Sequence, residues 1–87
     1  MTSAFLFINA QFLFVEDVMN KLKETPEVVD VHRVQGTYDI IARVNSDTEE
    51  KLKELVSERI RRIDSITGTV TVIIAKEIRR GGHTTTR

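Results

Sequence analysis

An α+β sandwich in the order strand, helix, strand, strand, helix, strand is the fold class the sequence predicts, and three observations predict it. Apolar residues recur with a helical period in two stretches, one opening at Val15 and one at Leu52. Around them lie four short segments rich in aromatic or β-branched residues, one before, two between and one after. The chain has 87 residues, enough for one modest core and too few for a second folded unit.

The first strand is Ala4 to Ala10 (AFLFINA), whose lack of a polar alternate before Asn9 suits a strand covered on both faces. Val15, Val18, Met19 and Leu22 then fall at i, i+3, i+4 and i+7, with Glu16, Asp17, Asn20, Lys21 and Lys23 on the other side. This first helix should end near Glu24, because Pro26 pushes Thr25 out of helical angles. Val28 to Gln35 (VVDVHRVQ) and Tyr38 to Val44 (YDIIARV) read as two strands joined at Gly36-Thr37 by a tight hairpin. Ser46-Asp47-Thr48-Glu49 has capping-box spacing, so the second helix is expected to start with Ser46 accepting from the Glu49 amide. Leu52, Leu55, Val56, Ile60 and Ile63 carry its period, and Glu49 with Lys53 and Glu58 with Arg62 stand at favourable i,i+4 spacing. Ile66 to Ala75 (ITGTVTVIIA) alternates as the last strand. Residues 79–87 (RRGGHTTTR) hold no apolar side chain to offset their ordering entropy, so the domain is expected over 1–78 with a flexible tail after it.

Right-handed crossovers place both helices on one face of a four-stranded antiparallel sheet, the ferredoxin-like arrangement. Two helices cover one face only, yet Phe5 and Phe7 alternate with Leu6 and Ile8, and Val72 and Ile74 with Ile73 and Ala75. One apolar face is left over, and the same face of a second copy is its expected cover, in a two-fold homodimer. Against that, Asp30 and His32 are expected to share a face with Val28 and Val34, which would dilute the contact.

Composition narrows the function classes. Thirteen basic residues balance thirteen acidic ones, and the absence of a basic stripe argues against direct nucleic-acid binding. No cysteine is present, which removes thiolate metal sites and thiol nucleophiles. The apolar opening is too short for a signal peptide, and no run reaches the roughly 18 to 20 residues of a membrane span, so a cytoplasmic protein without membrane contact is expected.

Val34-Gln35-Gly36-Thr37-Tyr38-Asp39 is the segment richest in chemistry. Gly36 can take the positive φ a tight turn needs, Tyr38 offers a ring to a ligand, and Asp39 offers a carboxylate to an ammonium group or to nearby amides. A plain turn with Asp39 paired locally explains the same residues. Thr69 and Thr71 share one face of the last strand, where their hydroxyls and the intervening amides could meet a carboxylate, or simply serve as strand threonines.

Taken together, AFLFINA, PEVVDVHRVQGTYDIIARV, the helix ending SERIRRI, and TGTVTVIIA resemble the effector-binding (RAM) domain of the leucine- and asparagine-responsive (Lrp/AsnC) transcription regulators, over about residues 4 to 76. The resemblance implies a homo-oligomer, a dimer through the sheet and then an assembly of dimers. It implies an amino-acid effector in a pocket lined by Gly36, Thr37, Tyr38 and Asp39, with Thr69, Val70 and Thr71 approaching it. The helix-turn-helix segment that precedes this domain in full regulators is missing from these 87 residues, so the resemblance is to stand-alone variants, with full-length regulators as further partners. Where the family commonly has Pro-Gly after the first strand, this chain has Phe12-Leu13-Phe14, and altered loop contacts are expected there.

No enzyme motif competes. Asn9 to Phe14 lacks the arginine and glycine of a phosphate-cradling loop. His32 and His83 form no metal triad with a nearby carboxylate pattern, so neither a metal nor a cofactor is expected. The glutamates of the second helix, Glu49, Glu50, Glu54 and Glu58, read as a solvated face. The other readings are an ACT-like or purely structural oligomerisation module without a ligand, and a cofactor-free enzyme with chemistry between subunits.

Overall fold

A computed structural model describes residues 1–76 and residue 78; the expected tail, 79–87, lies outside the described residues. The elements follow the expected order: β1 (Thr2–Ala10), α1 (Val15–Lys23), β2 (Val28–Arg33), β3 (Ile40–Ser46), α2 (Glu49–Leu55) and β4 (Ile66–Ile73). A 3-10 turn, Phe12–Phe14, leads into α1, and a π-helical turn, Val56–Ile60, extends α2. The four strands form one antiparallel sheet ordered β2-β3-β1-β4, so β2 and β4 are its edges.

Side chains directly opposite in such a sheet share a face. Ala4, Leu6 and Ile8 of β1 lie opposite Val44, Ala42 and Ile40 of β3, and all six are fully buried beneath the helices. From above, Val15, Val18 and Leu22 of α1 and Leu52, Leu55, Val56 and Ile60 of the α2 segment close the same core. Met19 and Ile63 pack at its margin, so both helical periods do the work they imply. Both ion pairs expected in the second helical segment form, Glu49 to Lys53 at 3.3 Å in α2 and Glu58 to Arg62 at 3.4 Å beyond it.

Three local expectations are corrected. Ser46 does not cap α2: it is the last residue of β3, opposite Thr2. Thr48 takes the extended N-cap conformation instead, and its hydroxyl accepts from the Lys51 amide at 3.1 Å. The hairpin is not tight. Both strands stop short of the glycine, and a loop over 34–39 is closed by Val34 N–H donating to the Asp39 carbonyl at 3.0 Å. Val28 does not share a face with Asp30, because a bulge shifts the register between them. Val28 lies opposite Val44 and packs on the core, while Asp30 and His32 lie opposite Arg43 and Ile41 on the other face. The bulge thus keeps one apolar residue at the core despite two polar ones following it.

The helix-free face is apolar through its middle. Phe5 lies between Arg43 and Val72, and Phe7 between Ile41 and Val70. Arg43 stacks over the Phe5 ring at 5.6 Å. Val70 and Val72 keep 44% and 46% of their surface in solvent, a large share for β-branched strand residues.

Candidate functional site

The hairpin 34–39 is anchored to the end of β1 twice. Asp39 N–H donates to the Ile8 carbonyl at 3.0 Å, and the Asp39 carboxylate accepts from the Ala10 amide at 2.9 Å. The second bond satisfies a backbone donor where β1 leaves the sheet, so Asp39 is first of all a structural acceptor for its neighbour strand. Gly36 turns the chain at φ 137°, a conformation that L side chains rarely adopt, with open space around its Cα.

Beside this hairpin lies an open pocket of about 580 Å³. Val34, Gln35, Gly36 and Asp39 form one wall, Arg33 at the end of β2 adds a guanidinium, and Phe12 and Val15 close the side nearer the helix. The wall is stiffly held: Phe14 N–H donates to the Gln11 carbonyl at 2.9 Å, and Gln11 N–H to the Ser65 carbonyl at 2.8 Å, tying the 3-10 turn to the loop before β4. Asp39 and Arg33 bring opposite charges to one cavity, yet each is engaged elsewhere. Arg33 pairs with Glu16 of α1 at 3.0 Å, and Asp39 holds the Ala10 amide.

Of the residues singled out from sequence, Gly36 and Asp39 line this pocket. Thr37 is exposed within the same hairpin. Tyr38 turns to the helix-free face and packs on Phe7, ring centroids 5.5 Å apart and tilted by 52°. Thr69 lies opposite Ile8 on the helix side of the sheet, two strand spacings of about 4.8 Å from Ile40 at the start of β3. Val70 is on the helix-free face, and Thr71 borders a separate groove of about 280 Å³ with Val56, Arg61 and Ile73. One copy of the chain therefore brings Gly36 and Asp39 to one pocket, sends Tyr38 to the opposite face, and leaves Thr69, Val70 and Thr71 outside that pocket. Arg33, Phe12 and Val15 were not among the site residues expected from the sequence. Phe12 left a signal, an aromatic residue outside both helical periods and both strand patterns.

A larger cleft of about 670 Å³ separates the ends of the two helices. Its walls interleave Asp17, Lys21, Glu24, Arg59, Arg62 and Asp64, charges of both signs, and the two arginines pair outside it with Glu27 and Glu58. None of the sequence-derived residues touches it. Among the described residues, no group of three or more histidine, aspartate or glutamate side chains is placed to hold a metal ion. No helix there is long and apolar enough to cross a membrane.

Comparison with known proteins places this architecture. The family model described as the Lrp/AsnC ligand binding domain matches residues 3–83. The transcriptional regulator FL11 of Pyrococcus furiosus, of helix-turn-helix type, is 29% identical over 73 residues, covering 84% of this chain and 48% of its own. The chain thus spans about half the length of the curated relatives it matches. A Pyrococcus horikoshii protein of undetermined function, PHS023, superposes with a TM-score of 0.82 at 34% identity, covering 95% of this chain and 100% of its own. A Neisseria meningitidis regulator crystallised with L-methionine, NMB0573, shares the fold at a TM-score of 0.83 and 16% identity, over 91% of this chain and 53% of its own. With the βαββαβ order, the antiparallel sheet and a family match over nearly the whole length, the chain belongs to the Lrp/AsnC ligand-binding domain family.

Proposed function

We propose that this domain is an amino-acid sensor that self-associates through the helix-free face of its sheet and changes its assembly or its partners when the effector binds. The observation that carries the reading is the hairpin pocket, where a Gly36 turn sets Asp39 beside an open cavity of about 580 Å³. That volume falls within the roughly 300 to 1,000 Å³ of small-molecule sites. A carboxylate at its wall suits an ammonium group. The neisserial relative's complex with L-methionine supports the ligand class. Tyr38 and Val70 belong to the sheet face and would line a crevice formed when two copies meet, while Thr37, Thr69 and Thr71 stand nearer the periphery.

A ligand moves such an equilibrium only by binding one assembly more tightly than another, so differential affinity is the mechanism. Relatives that carry the domain are about twice as long, and a shared sheet face would let this chain form mixed dimers with such full-length regulators. Such a role places the protein in the cytoplasm with those regulators and requires no catalysis. Thermal-shift measurement against the twenty amino acids, with light scattering on each hit, tests the reading. At least one amino acid should raise Tm and alter the assembly size. If none does either, the domain is a structural oligomerisation module.

A further inference from the structure

We propose that the exposed Phe12-Leu13 knob of one copy docks into the groove between the π-helical turn and β4 of another, joining sheet dimers head to tail. The inference rests on the sheet dimer of the proposed function and adds a second contact, made by residues outside the helix-free face.

Phe12 and Leu13 keep 80% and 81% of their surface in solvent, side by side, against the general burial of large apolar side chains. A loose loop does not account for this. Gln11 N–H donates to the Ser65 carbonyl at 2.8 Å and Phe14 N–H to the Gln11 carbonyl at 2.9 Å, so the 3-10 turn is held while its side chains stay uncovered. Phe12 also borders the hairpin pocket, whereas Leu13 lines none of the cavities described above. Leu13 is therefore the tip. Four residues on, exposed Asp17 carries a carboxylate with no ion pair among the described residues.

The groove of about 280 Å³ is lined by Lys53, Val56, Ser57, Arg61, Thr71 and Ile73, and its lining is mainly apolar. Val56 opens the π-helical turn, in which Arg61 N–H reaches back five residues to the Val56 carbonyl at 2.9 Å. The Ser57 hydroxyl donates to the Lys53 carbonyl at 3.0 Å, so its hydrogen bond is made within the helical segment. Val56 and Ile73 are left to meet an apolar side chain of leucine size. Lys53 is paired with Glu49, while Arg61 has no carboxylate partner among the described residues. An acidic group beside an apolar tip complements this rim, and Asp17 beside Leu13 supplies both. One copy cannot fill its own groove: Ile73 lies opposite Ala4 near the start of β1, the knob follows Ala10 at its end, and β1 spans about 20 Å between them. The contact therefore joins unlike surfaces of two copies, the kind that closes into rings or runs on as chains. One such contact is too small to hold single chains together, but a sheet dimer carries a knob and a groove on each copy, and paired contacts hold where one does not.

The sequence holds no cysteine, so single-cysteine variants report the contact without background. Leu13→Cys and Ser57→Cys, both at exposed positions, are mixed with one of them isotope-labelled, briefly oxidised, and the cross-linked pairs identified by mass. The mixed pair should dominate, and neither variant alone should cross-link appreciably. In sedimentation velocity at tens of micromolar the native chain should run larger than a dimer, and Leu13→Ser as a dimer. Arg61→Glu and Asp17→Arg should each raise the concentration needed for the larger assembly about tenfold or more, and the two changes combined should restore it. A double variant that stays as weak as the single ones would overturn the pairing of Asp17 with Arg61. Cross-linking mainly between two Leu13→Cys chains would overturn the head-to-tail contact in favour of knob against knob. A native chain that remains a dimer and yields no mixed pair would overturn this inference and leave the sheet dimer standing, whereas a native monomer would remove both.

Discussion

Asp39 has two duties that substitution can separate. Its carboxylate accepts from the Ala10 amide where β1 leaves the sheet, and its charge faces the pocket. Asp39→Asn keeps a carbonyl acceptor for the amide but loses the charge, so it should unfold at nearly the native temperature and bind amino acids more weakly. Asp39→Ala removes the acceptor too and should cost about 1 kcal/mol of stability in urea unfolding. If the two variants unfold alike, the bond to Ala10 contributes nothing, and the hairpin is held on β1 by its backbone bond to Ile8 and by Tyr38 on Phe7. The same residue shows how far the sequence could be read. A carboxylate after Gly-Thr-Tyr announces a turn that can serve a ligand or an amide, and choosing between them needs the position of Ala10, which is 29 residues away. Arg33 was illegible for a similar reason. In sequence it is one more charged strand residue, and its place at a pocket depends on α1 supplying Glu16 from across the fold.

At the level of elements, what the sequence showed clearly was periodicity, because burial on one side of a helix or sheet must repeat at 3.6 or 2 residues. Boundaries were less legible, since they depend on what a segment pairs with. Ser46 and Thr48 are both good N-caps by type, and the choice falls to Thr48 because β3 stays extended through Ser46 to meet Thr2. Thr48→Ala should therefore lower stability by about 1 kcal/mol, while Ser46→Ala should change it by a few tenths, measured by chemical denaturation. The reverse order would place the helix start two residues earlier. The bulge between Val28 and Asp30 was hidden for a related reason, because the pattern V-V-D-V-H is consistent with either register until β3 fixes the partner. Once it is in place, Val28 no longer shares a face with Asp30, while Asp30 and His32 remain on the helix-free face, at its β2 edge.

On the scale of the whole molecule, the helix-free face decides how the domain lives in water. Phe5, Phe7, Ile41, Val70 and Val72 form a continuous apolar strip over three strands, while Asp30 and His32 stand at one edge. Each 100 Å² of such surface removed from water is worth about 2.5 kcal/mol, which favours a second copy as cover. In a two-fold contact every residue of the strip appears twice, so one substitution introduces two charges into the proposed interface. Val72→Asp puts a carboxylate opposite Phe5 on this strip without touching the helix-side core, and the variant should keep native far-UV circular dichroism. In sedimentation velocity at micromolar concentration the native chain should run as a dimer or larger, and Val72→Asp as a monomer, because two desolvated carboxylates in one interface cost more than the lost valine area. Leu13→Ser provides the contrast: Leu13 is 81% exposed in the 3-10 turn, outside the sheet face, and its loss should leave the dimer intact. A dimeric Val72→Asp beside a monomeric Leu13→Ser would move the interface to the loop after β1 and leave the apolar strip without a role in self-association.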